Sequence, residues 1–115
     1  MKNNHIGRGQ ALIVIALVAV ALVGMVGLVI DGGRAFLDRR NAQNAADSAA
    51  LASAYARIKG DQDMVGAALA AAAENGYNND GTRNVVVLYS PPKDGPHSGD
   101  VEYIQIIITS NLQTY

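Results

Sequence analysis

The sequence contains no cysteine and no tryptophan. Without cysteine there are no disulfides, no thiolate zinc sites and no cysteine nucleophile. Neither sign of charge is in clear excess, because the sequence has nine lysines and arginines and ten aspartates and glutamates. Nucleic-acid binding needs a basic surface, so we expect no nucleic-acid partner.

Residues with catalytic or metal-binding chemistry are few and scattered. His5 and His97 are far apart in the sequence, and neither has the i, i+4 partner of a zinc site. Asp94 and Asp100 share a loop without the ligand spacing of an EF-hand, which favours a role in turns. No phosphate-binding loop, nucleophile elbow or Ser/His/Asp set can be assembled. We therefore expect no enzyme activity, no cofactor, no metal and no small-molecule substrate.

One long apolar run dominates the N-terminal third of the chain. The 20 residues from Ala11 to Ile30 carry no charged or hydrogen-bonding side chain. As a helix they would extend roughly 30 Å, the thickness of a hydrocarbon core. The run is longer than the apolar part of a cleaved export signal, and the chain is too small to bury it on all sides. We predict a transmembrane helix over residues 10–31, after a short basic leader of residues 1–9.

The charges beside this span do not decide its orientation. Basic side chains flank it on both sides: Lys2, Arg8, Arg34, Arg39 and Arg40. Because the leader is short, the economical arrangement keeps it inside and translocates everything after Ile30. Asp31 and Arg34 then stand at the membrane exit, where Asp31 meets headgroups or a partner's positive group. An ordinary interfacial charge balanced by a nearby arginine is the simpler interpretation.

Residues 32–59 are predicted to continue the helix outside the membrane, since they favour helix and contain no proline. Gly32-Gly33 could instead kink or end it. On a continuous helix, small residues fall within about 100° of arc: Ala16, Gly24, Gly27, Ala35, Ala42, Ala45, Ala49, Ala52 and Ala56. A small stripe lets helices pack closely against one another. The high helix propensity of alanine is the alternative reason for the pattern.

Residues 60–115 predict a small head that completes an α+β fold. Asp61 offers an N-cap for a helix over residues 62–75, which ends where Asn75-Gly76 permits a left-handed residue. β-branched runs predict strands at about 84–90 and 101–109, paired as an antiparallel hairpin or small sheet. One face of the second strand carries Ile104, Ile106 and Ile108. That face needs cover from the alanine helix, a third strand near residues 112–115 or a neighbouring subunit.

The stretch RGQALIVIALVAVALVGMVGLVIDGGRAFLDRRNAQNAADSAALASA, about residues 8–54, resembles the N-terminal segment of TadE/TadG-like proteins of tight-adherence (Flp) pilus systems. It is TadG-like more than TadE-like. The specific features are Arg-Gly before the span, Asp31-Gly-Gly-Arg34 at its exit and the segment from Asn41 to Leu51. The prolines and glycines of residues 91–99, followed by Tyr103-Ile-Gln-Ile, also resemble the extracytoplasmic part of TadG-like proteins.

The resemblance implies a non-enzymatic, pilin-like protein of the bacterial cell membrane, single-pass, with the bulk of the chain outside. The partners it implies are the membrane, further copies or other pilin-like subunits, and the pilus assembly machinery. It also points to Gly9 and Gln10 as a leader cleavage site. The fifth residue after Gly9 is Val14, where related pilins usually carry glutamate, so we expect many molecules to keep the leader. Many TadG-like members are longer and contain a von Willebrand type A domain, so we expect a short member or a fragment.

Two alternatives to an anchored component of the pilus remain open. In the first, the protein is a major filament subunit whose apolar helix packs in the filament core. In the second, it is a membrane-tethered binding module that uses the loop from Pro91 to Asp100 to contact a ligand.

Overall fold

The computed structural model describes residues 6–112. In chain order the elements are α1 (Ile6–Ile58), α2 (Met64–Glu74), β1 (Asn84–Tyr89) and β2 (Gln105–Ser110). A long apolar N-terminal helix, a short helix and a two-stranded antiparallel sheet confirm the predicted α+β class. The chain divides into two compact units, Met1–Ala35 and Phe36–Tyr115.

The first unit consists, in its described part, of the N-terminal part of α1. The helix does not end at Gly32-Gly33, so the alternative of a break at these glycines is not observed. All side chains described from Gly7 to Ala35 are exposed. An α-helix satisfies its backbone hydrogen bonds internally, which is the condition for placing a backbone in lipid.

The second unit has a core made mainly of alanine. Ala45 and Ala49 of α1 lie in one buried cluster with Ala68 and Ala72 of α2, joined by Tyr77 and Val86. Two alanine faces can approach closely because neither has a side chain beyond Cβ. The part of α1 after Phe36 thus supplies one wall of this core, together with elements of the head predicted as residues 60–115.

Helix α2 begins at a side-chain cap and ends at a glycine with positive φ. The N-cap is Asp63 rather than the predicted Asp61, because the Asp63 carboxylate accepts the amide of Gly66 at 2.8 Å. Asp61 instead accepts the amide of Asp63 at 3.0 Å. The predicted stop at Asn75-Gly76 is confirmed: Gly76 has φ +91°, and the Tyr77 amide donates to the Ala72 carbonyl at 3.0 Å. This is the hydrogen-bond pattern of a Schellman motif.

The two strands pair in antiparallel register, with Val86 opposite Ile108 and Leu88 opposite Ile106. These four side chains share the face toward the core, as the alternation of the second strand predicted. β2 begins at Gln105 rather than near residue 101, because Asp100 forms a turn by accepting the amide of Glu102 at 3.0 Å. Within residues 6–112 the sheet has two strands; most of the predicted third strand lies outside the described residues.

Candidate functional site

The apolar run of the first unit is the first candidate site. From Ala11 to Ile30 every side chain is exposed, including Leu28 at 75% and Val29 at 73%. Helix α1 is long and apolar enough to cross a membrane. Apolar exposure of this extent requires another apolar surface, which is lipid or protein. The run therefore identifies a contact surface for something outside this chain.

The residues predicted at the two ends of the run are exposed on the helix. Gly9 and Gln10 lie in the first two turns of α1, and Asp31 and Arg34 lie beyond Ile30. No atom of another part of the chain lies within 4 Å of the position that a Cβ would take at Gly24 or Gly27. This portion of the small stripe is open, and its association with another helix stays a prediction.

The C-terminal members of the stripe have a partner inside the chain. Ala45 and Ala49 are 0% exposed and Ala56 is 7% exposed, while Ala42 and Ala52 are half-buried. Contact with α2 and Tyr77 is sufficient reason for small side chains at Ala45 and Ala49. Association of the stripe with another helix stays a prediction, and four of its exposed members lie in the first unit: Ala16, Gly24, Gly27 and Ala35.

A buried tyrosine links the segment after α2 to α1. The Tyr77 hydroxyl donates to Asp38, with 3.0 Å to the main-chain carbonyl and 2.9 Å to Oδ1. Burial, then the hydrogen bond to Asp38, then the charge of that carboxylate raise the pKa of Tyr77 from 10.0 to about 12. The protonated hydroxyl is thus part of the folded unit at all ordinary pH values.

The turn before β1 is held by side-chain oxygens. Asp80 Oδ1 accepts the amides of Thr82, Arg83 and Asn84 at 2.7–3.1 Å. Amide donation, first from Asn84, then from Thr82 and Arg83, holds the pKa of Asp80 below its usual value. Asn79 adopts φ +54° and its side chain accepts the amide of Val86 at 2.8 Å. The turn therefore fixes the start of β1.

The second candidate site is an open groove between α1 and the loop that precedes β2. Its volume is about 360 Å³, and it is lined by Gln43, Ala46, Asp47, Ala50, Pro92, Asp94, Gly95, Pro96, His97, Tyr103, Ile104, Gln105 and Ile106. On the loop side, the rings of His97 and Tyr103 stack with centroids 3.7 Å apart and an interplanar angle of 10°. On the helix side, Gln43 donates to Asp47 at 2.9 Å.

Gln105, the first residue of β2, holds the preceding loop by side-chain hydrogen bonds. Its side-chain oxygen accepts the amide of Lys93 at 3.0 Å, and its side-chain nitrogen donates to Asp94. Strand alternation puts Gln105 on the face opposite Ile104, Ile106 and Ile108, but no sequence signal indicates that the loop folds back onto it. For Tyr77 a signal existed, since an apolar residue directly after a C-terminal helix glycine often packs against the last turn.

Among residues 6–112, no group of three or more His, Asp or Glu side chains is arranged to hold a metal ion. His5 lies outside the described residues, and His97 is engaged in the ring stack.

Fold and surface together define a protein with one N-terminal helix of membrane-spanning length and a small α+β unit. Residues 9–56 match the family model described as "Putative Flp pilus-assembly TadE/G-like". Over this segment the chain is TadE/G-like, which confirms the resemblance noted for about residues 8–54. No curated protein and no solved structure matches the chain. The family and the apolar helix are consistent with a membrane-anchored protein related to the Tad/Flp pilus.

Proposed function

We propose that the protein is a non-enzymatic, pilin-like structural component that takes part in the assembly or structure of a Tad/Flp-type surface pilus. The span over residues 10–31 anchors it in the bacterial cell membrane, and the compact unit from Phe36 onward lies outside the cytoplasm. Its partners are other pilin-like subunits, further copies and the assembly machinery. Self-association uses the open small residues of the first unit.

One observation carries this proposal: the exposed apolar run from Ala11 to Ile30 lies inside the segment that matches the pilus-assembly family. A helix of this kind is stable in water only when another apolar surface covers it. Lipid covers it before assembly, and neighbouring helices can cover it afterwards. A pilin-like protein needs both environments.

The experiment has two arms. In cells that lack other pilus components, the protein should remain in the membrane pellet after carbonate washing. Two charges in the span, Val18→Asp with Val23→Asp, should weaken this retention, because an aspartate near the helix centre disfavours insertion by about 2.5–3.5 kcal/mol. Recovery of the unaltered chain in the soluble fraction would contradict the anchor.

In cells with the complete pilus system, removal of the protein should reduce the number or length of sheared filaments seen by electron microscopy. Reintroducing the unaltered chain should restore them, and the doubly charged variant should not. Unchanged filaments after removal would contradict the role in the pilus.

A major filament subunit is the alternative supported by the same exposed helix. Mass spectrometry of sheared filaments separates the two roles, since a major subunit dominates the protein mass and an assembly component does not. The open groove beside His97 and Tyr103 supports the other alternative, a membrane-tethered binding module. For that role, Tyr103→Ala should abolish ligand-dependent adhesion without changing filament number.

A further inference from the structure

The two edges of the small sheet can be distinguished by their hydrogen bonds. The Asn111 amide donates to the Arg83 carbonyl at 2.8 Å, and these residues continue the register in which Asn84 lies opposite Ser110. Hydrogen-bonded and non-hydrogen-bonded pairs alternate in an antiparallel ladder. The bonded pairs of β2 are therefore at residues 105, 107 and 109, and the main-chain groups of Ile106 and Ile108 point away from β1.

The first part of the β1 edge, at Asn84 and Val86, is covered by the turn that precedes it. The Val86 amide, which also points away from the ladder, donates to the Asn79 side chain at 2.8 Å. The Asn84 carbonyl accepts the Gly81 amide at 3.0 Å. Both contacts agree with the assigned alternation. They also occupy main-chain groups that another strand would need at this end of β1, a protection that natural sheets commonly use.

The β2 edge has no such cover in the part of the chain that the structure describes. Across residues 6–112, no hydrogen bond is made by the amide of Ile106 or Ile108 outside the ladder. An uncovered strand edge offers a row of donors and acceptors to an added strand.

A groove follows this open edge. Beside the isoleucines of β2 lies a cavity of about 260 Å³, whose helix wall includes Arg39, Ala42, Gln43 and Ala46. It shares Gln43, Ala46 and Ile106 with the cavity of about 360 Å³ beside the loop, so the two form one groove. Small alanines on the helix wall leave room between α1 and the strand edge.

Charge is distributed unevenly along the groove. Arg39 lines the end near Ile108, whereas Asp47 and Asp94 line the end near Ile104. The eight helical steps from Arg39 to Asp47 correspond to about 12 Å along the helix axis. An extended chain covers that distance in about four residues, so side chains four apart would reach both ends from the same strand face.

We propose that the open edge of β2 accepts an extended segment of a partner chain as a third, antiparallel strand. The segment carries an acidic residue toward Arg39, an apolar residue two positions later toward the alanines, and a basic residue two positions after that toward Asp47 and Asp94. Its main chain bonds to Ile106 and Ile108, and the order of charges fixes its direction. If no such segment binds to β2, the proposed membrane anchoring by α1 is unaffected.

The test uses the full chain in detergent micelles, labelled with nitrogen-15, and a synthetic peptide with this acid, apolar and base spacing. Amide exchange of Ile106 and Ile108 should slow in the presence of peptide, while that of Ile107, already bonded to β1, should change little. A peptide N-methylated at the residues that face β2 should not bind. Equal binding of the N-methylated peptide would overturn the added strand, as would the absence of binding at millimolar peptide.

Charge reversal tests the direction. Arg39→Glu should weaken binding of the peptide about tenfold, because one attraction becomes a repulsion. A peptide with its acidic residue replaced by lysine should restore it. Arg40→Glu is the matched control, since Arg40 is an exposed neighbour that does not line the groove. Slow exchange of Ile107 shows that each variant is folded.

Other occupants give different results. Protection of Ile106 and Ile108 that rises with protein concentration, without peptide, would assign the edge to a second copy and overturn the proposal. Protection at every concentration without peptide would assign it to this chain itself, with the same consequence.

Discussion

From Ala11 to Ile30, α1 exposes large apolar side chains on every face, whereas from Phe36 onward the same helix buries small ones. The first unit presents leucine, isoleucine and valine to its surroundings. The second keeps Ala45, Ala49 and Ser53 at 0% exposure. Large apolar side chains are thus exposed here and small ones are buried, whereas an ordinary soluble protein usually buries its large apolar side chains.

The reversal separates two sources of stability. In the first unit the hydrophobic contribution is available only if lipid or another helix covers the surface. In the second, α1 finds its partner within the chain, because α2 offers a matching alanine face. Close approach of two backbones replaces the burial of bulky side chains. Substitutions in the second unit should therefore change the stability of the monomer. Substitutions in the first unit should change the association between chains.

The largest effect is expected on association through the first unit. Gly24→Leu places a bulky side chain on the open part of the small stripe, and overpacking costs about 1–3 kcal/mol at each contact, repeated in every copy of an assembly. Crosslinked oligomers or filaments should decrease at matched expression. Gly24→Ala should be tolerated, and so should Ala19→Leu, which lies about 140° away on the helix. Equal assembly by all three variants would mean that the glycines do not mediate contact.

The matching substitution in the second unit should act within the monomer. Ala49→Leu overpacks a site that is fully buried against α2, so the free energy of unfolding should fall by about 1–3 kcal/mol. Denaturant unfolding of the full chain in detergent, followed by tyrosine circular dichroism, measures the change. Ala16→Leu in the first unit is the control and should leave this transition in place. A midpoint that moves equally in both variants would remove the distinction between the units.

The elements were largely predictable because their signals are local. An uninterrupted apolar run specifies a helix, alternation specifies the inner face of β2, and Gly76 specifies the end of α2. The partner of Ala45 and Ala49 was not predictable, since alanine has the same side chain whether it contacts α2 or another molecule. Alanine periodicity therefore indicated a packing face without identifying the partner.

Positions that depend on competing local groups were also missed. Asp61 and Asp63 are both suitable N-caps, and the choice depends on which carboxylate reaches the Gly66 amide. The groove could not be predicted at all, because it depends on Gln105 holding a loop more than ten residues earlier in the chain. Long-range side-chain contacts of this kind leave no periodic pattern in a single sequence.

An intermediate effect is expected from the tyrosine of the second unit. Tyr77→Phe removes the hydrogen bond to Asp38 and should lower the free energy of unfolding by about 1–2 kcal/mol, since a charged acceptor strengthens such a bond. The pH dependence has a definite sign. Because folding raises the pKa of Tyr77 to about 12, its stabilisation is complete below pH 10 and is lost between about pH 10 and 12.

Denaturant unfolding across this pH range checks both statements. Stability of the unaltered unit should fall between about pH 10 and 12, and the part of that fall contributed by Tyr77 should disappear in Tyr77→Phe. Retention of the first unit in membranes should not follow the same curve. Identical pH curves for the unaltered and Tyr77→Phe chains would contradict the role of the buried hydroxyl.

The smallest effect concerns the start of α2, where two contributions oppose each other. A Cβ at residue 66 would collide with the Asp63 carboxylate that caps the helix. Gly66→Ala should therefore lose a cap worth about 1 kcal/mol while gaining about 1 kcal/mol of helix propensity, with little net change in the free energy of unfolding.

An Asp63→Ala chain separates the two contributions. It is itself about 1 kcal/mol less stable, but it has no carboxylate to displace, so Gly66→Ala should give its full gain there. Unfolding of the four chains closes this double-mutant cycle. Additive effects would show that the Asp63 cap tolerates the extra methyl group. The first turn of α2 would then be less rigid than the contact between Asp63 and Gly66 indicates.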